Sequence, residues 1–410
     1  MKKIFFLIIA LTTVLVSCEK KYDLSLQYKV LKAEAQPNDL WLFSMGNHLL
    51  GIDPVTFEEK LDVEFNYYIT DPLYVDNKIY IAERSSIYSN IGSSIWGYNV
   101  ICLNENYTLN CEISVHPNTS SLNKSGNYLV SDTYCYGFDK ETGNLYSGFA
   151  IVDLTTNKCV YKNESLSDII SNPRGSWSYK NRLFLGTYPQ LGTDTFAVSV
   201  FNLDTMEFDA LNSRIFSSNP DEENLKYEYA FININDNQLW INYYYYHTIC
   251  VYDLDTYDPE NQTCERIAKI DLKKDYNIPE LANEPEATDI EYNFENYLQI
   301  GGTGGIYRIQ TGQFINGKYH VVIHPENYEN YNGTALNAIL VIDPTTFELE
   351  KQINIKSDSI DTYLVGVDEI KYSTADEDIL ILRHFDNRIE SYDANTGELL
   401  DQKIVFQEYE

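Results

Sequence analysis

Val341-Ile342-Asp343-Pro344-Thr345-Thr346-Phe347-Glu348-Leu349 reads as the end of a strand, a tight turn and the start of the next strand. The same phrase returns as Ile52-Asp53-Pro54-Val55-Thr56-Phe57, Val152-Asp153-Leu154-Thr155-Thr156, Phe201-Asn202-Leu203-Asp204-Thr205, Tyr252-Asp253-Leu254-Asp255-Thr256 and Tyr392-Asp393-Ala394-Asn395-Thr396-Gly397. A degraded copy, Ile101-Cys102-Leu103-Asn104-Glu105, falls halfway across the first gap. Seven units spaced mostly about 50 residues apart predict a propeller or a solenoid. The repetition has a local cause. An Asp or Asn at a strand end accepts hydrogen bonds from backbone N–H groups two residues on, and a nearby Thr does so more weakly. The repeated acids are therefore read as turn formers and not as catalysts.

Around each phrase the chain reads as three or four short alternating strands. The second strand of each unit is the clearest, as in Leu40-Trp41-Leu42-Phe43, Arg182-Leu183-Phe184-Leu185 and Gln238-Leu239-Trp240-Ile241. Turn residues such as Asp76-Asn77, Asp236-Asn237 and Asn316-Gly317 precede several of them, as hairpins require. The expectation is an all-β fold, a propeller of seven four-stranded blades over residues 36–410. The gap between Asp253 and Asp343 exceeds one unit, so residues 272–305 are expected to hold an insertion, with an eighth degenerate blade as the alternative.

At the amino terminus, Lys2 and Lys3 precede an apolar run from Ile4 to Val16, too short to span a bilayer and of the length of a signal-peptide core. It ends in Leu15-Val16-Ser17-Cys18, which resembles the bacterial lipobox, in which the Cys receives a diacylglyceryl group and becomes the mature terminus. The resemblance implies a signal peptide over 1–17, lipid attachment at Cys18, a tether over 18–35 and a protein anchored to a membrane without crossing it. Glu19 stands where the enteric inner-membrane retention signal has Asp, so the outer membrane is the expected address.

The chain carries 61 acidic and 30 basic residues, a net charge of −31, which argues against nucleic acid as a partner because phosphates would be repelled. Besides Cys18 there are six cysteines, an even set suited to an oxidising compartment. Cys102 with Cys111, and Cys250 with Cys264, each bracket a copy of the phrase, and Cys135 with Cys159 would complete the set. No CxxC or Cys/His spacing suggests zinc, and no metal is expected.

The V-x-D-x-x-T-x-x-L/V repeats resemble those of bacterial YVTN-type and PQQ-like propellers, especially lipid-anchored ones of the cell envelope. With four Trp in the chain, the tryptophan-docking motif of quinoprotein dehydrogenases is missing, and neither PQQ nor another cofactor is expected. WD dipeptides, paired kelch glycines and sialidase Asp-boxes are absent as well.

In such propellers the loops joining second to third strands and those joining blades open on one face. Reading those loops here collects His48, Arg84, Trp96, His116, Arg174, Trp177, Tyr188, Tyr245, His247, His324 and His384 as candidate ligand-binding residues, with His320 assigned to the core. Tyr and His present an apolar ring with a polar tip, suited to a haem, a ferric chelate or a glycan, or to a protein partner. The alternative is an enzyme, a hydrolase or lyase, with its site in the same loops, although no G-x-S-x-G elbow or HExxH motif is present.

Overall fold

The structure is a computed structural model that describes residues 28–66, 68–84, 99–115, 119–133, 148–162, 176–187, 197–213, 230–243, 248–276, 278, 307–325, 338–355, 367–372, 378–384 and 388–404. Its strands are arranged as a seven-bladed β-propeller. The first sheet holds β1 (Tyr28–Ala33), β2 (Trp41–Met45), β3 (His48–Ile52) and β4 (Glu59–Phe65). The second holds β5 (Tyr68–Ile69), β6 (Leu73–Val75), β7 (Lys78–Arg84), β8 (Asn99–Asn104) and β9 (Leu109–Ser114), and the third β10 (Thr119–Ser125), β11 (Tyr128–Thr133), β12 (Gly148–Asp153) and β13 (Lys158–Lys162). The fourth comprises β14 (Ser176–Tyr179), β15 (Arg182–Thr187), β16 (Ala197–Asn202) and β17 (Glu207–Ser213), and the fifth β18 (Ala230–Asn235), β19 (Gln238–Tyr243), β20 (Thr248–Asp258) and β21 (Thr263–Asp271). The sixth comprises β22 (Tyr307–Ile315), β23 (Lys318–Pro325), β24 (Ala338–Ile342) and β25 (Leu349–Asn354), and the seventh β26 (Val367–Tyr372), β27 (Ile379–His384), β28 (Arg388–Asp393) and β29 (Leu399–Ile404). Between the fifth and sixth sheets, where the insertion is expected, the described residues are one helical turn, Leu272–Asp275, with Tyr276 and the buried Ile278; residues 279–306 lie outside the described set.

The repeated phrase does what its chemistry dictates. Asp343 Oδ1 accepts from the N–H groups of Thr345 at 2.7 Å and Thr346 at 3.0 Å, and Asp53, Asn202 and Asp393 make the same pair of bonds. Four residues after the Asx, the chain takes a left-handed conformation, at Phe57, Asn157, Met206, Phe347 and Gly397. A bulge precedes the Asx in all seven sheets, at Gly51/Ile52, Cys102/Leu103, Ile151/Val152, Val200/Phe201, Val251/Tyr252, Val341/Ile342 and Ser391/Tyr392. Each bulge bends the strand and strengthens the local twist between the outer two strands. The bulge survives even where the sequence has drifted, as before Asn104, where the left-handed residue is Tyr107, three places on.

Seven apolar clusters fill the seven gaps between consecutive sheets and close the ring. One lies between the fourth and fifth sheets, for example, and another, with Trp41, Phe43, Ile381 and Ile389, between the seventh and the first. A middle strand is therefore buried on both faces: in β12, Phe149 and Ile151 face the fourth sheet while Ala150 and Val152 face the second. Side chains alternate across a strand, so such strands read as continuous apolar runs. Each fully buried side chain of this size contributes roughly 1.5–3 kcal/mol.

Two elements differ from the expectation. The first sheet runs in the order β1-β4-β3-β2. Its phrase joins β3 to β4, so β2, β3 and β4 match the second, third and fourth strands elsewhere, and β1 adds to the outside of β4. Residues 28–33 are thus part of the first blade, and the expected tether loses its last part. In the fifth sheet the tight turn is not at Asp253. Asp258 Oδ1 takes the N–H groups of Glu260 and Asn261, Gln262 is left-handed, and the hairpin extends to pair Asp258 with Thr263.

Among the described residues β2 has no strand paired on its inner side, and side chains from three sheets are linked beside it. Pro72, which cannot donate to a ladder, separates β5 from β6, and beside it Asp71 leaves the ladder. Asp71 accepts from the Ser44 N–H and hydroxyl, each at 2.9 Å, and pairs with Arg383 of the seventh sheet at 3.0 Å. Glu369 receives the Trp41 indole N–H at 2.6 Å and lies 3.4 Å from Arg383 Nε. Burial alone would raise the Asp71 carboxyl, yet Arg383 and Ser44 outweigh it and hold the group below its ordinary range.

Candidate binding face

Strand alternation sends the chain's connections to two ends. One end carries the Asx turns and the tight hairpins such as Asp76-Asn77 and Asn316-Gly317, both residues of each being left-handed. The other receives the connections from second to third strands, 85–98, 134–147, 188–196, 244–247, 326–337 and 385–387, and those between sheets. We call it the long-connection end. Among the expected ligand-binding residues, Trp96, His116, Arg174, Tyr188, Tyr245 and His247 belong to connections outside the described residues. Arg84 and His324 stand on the last part of β7 and β23, opposite Tyr68 and Arg308, so their backbones reach that end.

The other three have different surroundings from those expected. Trp177 is on β14, not in a connection, and packs half-buried against the cluster that contains Phe184 and Ile232. His48 is buried on β3, with Nδ1 2.7 Å from Asp62 Oδ1 across the β3–β4 pair. His384 is buried at the end of β27 within a closed polar set. Its Nε2 lies 3.0 Å from Glu390, its Nδ1 lies 3.1 Å from Arg388, and Arg388 also donates to Glu390 at 3.0 Å. Tyr392 at 2.7 Å and Gln402 at 3.0 Å donate to the same carboxylate. A guanidinium can only donate, so the Arg388 contact at Nδ1 leaves Nε2 to donate to Glu390. Burial would raise the fully enclosed Glu390, but His384, Tyr392 and Arg388 together hold it below its ordinary range. Both ring nitrogens of His384 are engaged in these contacts, which leaves no imidazole edge for a ligand. His320 is buried as expected, with Nε2 2.9 Å from the Tyr372 hydroxyl.

The cysteine pairing changes with the fifth-sheet turn. Cys250 lies opposite Lys269, while Cys264 adjoins Glu265, the partner of Asp253. Five residues at ~3.3 Å each separate Cys264 from the position opposite Cys250, which puts their Cα atoms beyond the roughly 7 Å a disulfide allows, and both are thiols in this structure. Cys264 instead lies with its sulfur 3.0 Å from the Asp253 carbonyl oxygen, and burial pushes its pKa up to about 11. Cys102 and Cys111 face each other directly across β8 and β9; both are thiols in this structure, and burial raises Cys102 to about 12. Cys159 is a half-buried thiol on β13, and its expected partner Cys135 is outside the described residues, as is Cys18.

No cluster of His, Cys, Asp or Glu among the described residues is arranged to hold a metal ion. The clustered acids at 253, 255 and 258 are engaged within the fold: Asp253 accepts from the Asp255 N–H, Asp255 binds Lys180 and Tyr179, and Asp258 closes its turn.

No known protein family matches the chain, and no curated protein sequence does. Among solved structures, a computationally designed protein, Ika8, aligns over 93% of this chain and 88% of its own at 12% identity and a TM-score of 0.49. The dihydro-heme d1 dehydrogenase NirN, in complex with DHE, aligns over 92% of this chain and 77% of its own at 13% identity and a TM-score of 0.44. Both are distant likenesses, and the propeller assignment rests on the chain's own seven sheets.

Proposed function

We propose that the chain is a lipid-anchored propeller of the bacterial cell envelope that binds a small ligand or an envelope protein through its long-connection end. The supporting observation is the division of the polar chemistry between the two ends. The turn end spends its Asp, Asn and Thr oxygens on its own backbone, as Asp53, Asn202, Asp343 and Asp393 do. The long connections hold Trp96, Tyr188, the run Tyr244-Tyr245-Tyr246-His247, and Tyr328 and Tyr331. Rigid scaffolds carry recognition on their loops, and aromatic groups with polar tips suit a haem, a ferric chelate, a glycan or a protein surface.

The anchor is tested with Cys18→Ser. The unsubstituted protein is expected to incorporate labelled fatty acid and fractionate with membranes, and the variant to do neither. A variant that stays with the membrane would refute lipid attachment at Cys18. The Ala or Asn substitutions for recognition belong in 244–247 and 326–337; His384 and His48 are unsuitable because their loss disturbs buried carboxylates.

A further inference from the structure

We infer that Cys102 and Cys111 of the second sheet are a redox-active dithiol, closed to a cross-strand disulfide by exchange with an external disulfide that enters at Cys111. The inference is independent of the lipid anchor and of the binding end proposed above. Among the described cysteines, only these two stand opposite each other. Cys102 pairs with Cys111 across β8 and β9, whereas Cys159 lies opposite Val152 and Cys250 opposite Lys269. Directly opposed residues point to the same face of a sheet, with Cα atoms about 4.5–5.5 Å apart in either kind of antiparallel pair. That range falls inside the roughly 4.4–6.8 Å that a disulfide accepts. The two sulfurs already lie within hydrogen-bonding reach of each other.

The hairpin that carries the pair has also lost the turn clamp of other sheets. There, an Asx oxygen ties down two backbone N–H groups after the strand end, as Asp343 does. Asn104, in the same place after β8, instead accepts from the Asn110 side chain at 2.9 Å and donates to Thr108 Oγ1 at 3.1 Å. The bulge begins immediately after Cys102. A Cys102–Cys111 bond therefore fixes the ladder at its last pair before the bulge, beside a turn held through side chains.

Burial sets the order in which the two thiols react. Cys102 has no exposed surface, while Cys111 is half-buried on the outer strand. Tyr80, opposite Cys102 on β7, covers it from the inner side with its hydroxyl in hydrogen-bonding reach. Burial raises both thiols, and the nearby Lys78 ammonium acts against it on each by favouring the thiolate. Cys111 is thus the thiol that an external disulfide reaches. Its thiolate attacks one sulfur of that disulfide, forms a mixed disulfide and expels a thiolate. Cys102, on losing its proton, attacks the Cys111 sulfur and expels the second thiolate. Two protons and two electrons pass from the protein to the external disulfide, which leaves as two thiols. A dithiol reductant reverses the sequence by attack at Cys111.

Cys159, on β13 of the third sheet, packs against the same apolar cluster, with its sulfur 3.2 Å from the Tyr161 carbonyl oxygen. It is the competing partner for Cys111, and a bridge to it would join two sheets instead of closing one hairpin. The test begins with the unsubstituted full-length protein, reduced, freed of reductant and incubated in its folded state with glutathione disulfide. Acid-quenched samples are denatured with an alkylating agent and mapped by mass spectrometry. The expected product joins Cys102 to Cys111 and is two hydrogens lighter than the reduced form, with Cys250 and Cys264 still alkylated. At early times the glutathione adduct is expected on Cys111. Cys102→Ser protein should accumulate that adduct about tenfold faster than Cys111→Ser protein acquires one on Cys102, because access governs the first attack. A Cys111–Cys159 linkage, or alkylation of both Cys102 and Cys111 after the incubation, overturns the bridge. Equal uptake by the two variants, or an early adduct on Cys102 in the unsubstituted protein, overturns entry at Cys111.

Discussion

Glu390→Ala is expected to lower stability by about 3–5 kcal/mol, the cost of leaving a buried ionic partner uncompensated. Glu390 has no exposed surface and is the shared acceptor of His384, Arg388, Tyr392 and Gln402. Its removal leaves the buried Arg388 guanidinium without its carboxylate partner. In a domain of this size the unfolding entropy is large, and the midpoint should fall by only about 4–6 °C, so denaturant titration is the better readout. Replacing Glu390, Arg388 and His384 together with apolar residues of similar volume should cost far less, because no charge is then left behind. A single substitution as mild as the triple one would refute the network. The pH dependence has a definite sign. A carboxylate held below its ordinary range stabilises the fold above its unfolded pKa of about 4.3, and the contribution is lost as pH falls through the lower folded value. The unsubstituted protein should therefore lose stability more steeply than the triple variant below about pH 4.3.

Gly397→Ala is the second large expected effect, about 3 kcal/mol or more from combined strain and overlap. Gly397 occupies the left-handed position of the seventh-sheet turn at φ +69°. Phe57, Asn157, Met206 and Phe347 hold the corresponding place elsewhere, so the conformation alone does not demand glycine. What demands it is close approach. A Cβ at Gly397 would overlap the carbonyl oxygen of Asn354 and lie 2.7 Å from its carbonyl carbon, at the end of the sixth sheet. The partner is backbone and cannot rotate away. Asn157→Gly, at the matching position of the third sheet, should change stability by less than about 1 kcal/mol. Equal losses in the two denaturant titrations would contradict this account of the turn.

The architecture was legible because its signals are local. An Asx at a strand end, its left-handed residue and the preceding bulge lie within a few positions of one another, so the phrase announces its own turn. The misreadings came from pairings that are distant in sequence or ambiguous within it. Tyr28–Ala33 is short and mixed in character, and only pairing with β4, some 30 residues on, makes it a strand. The fifth sheet has two Asx residues: Asp253 accepts from the Asp255 N–H as the repeat implies, but the chain reverses only at Asp258. The Cys250–Cys264 pairing rests on two residues that bracket the turn, and bracketing does not fix the register: Cys250 lies opposite Lys269. His384 stands at the end expected from the repeat, but Glu390, which draws it inside, is on the neighbouring strand. Asp71 and Arg383 meet across 312 residues, a distance over which sequence patterning carries no signal.

The account's central claim is that recognition belongs to the long-connection end. It is tested most directly by a thermal-shift titration of residues 19–410 against haem, ferric chelates, glycans and extracted envelope membrane proteins. A ligand at 100 times its dissociation constant adds about 2.7 kcal/mol to the folded state. The account predicts that a stabilising ligand is found, that its effect is lost when Tyr245, His247 and Tyr328 become Ala, and that it persists when Val55 and Thr345 at the turn end are changed. A shift untouched by the first set and abolished by the second would place recognition at the wrong end of the propeller and contradict the account.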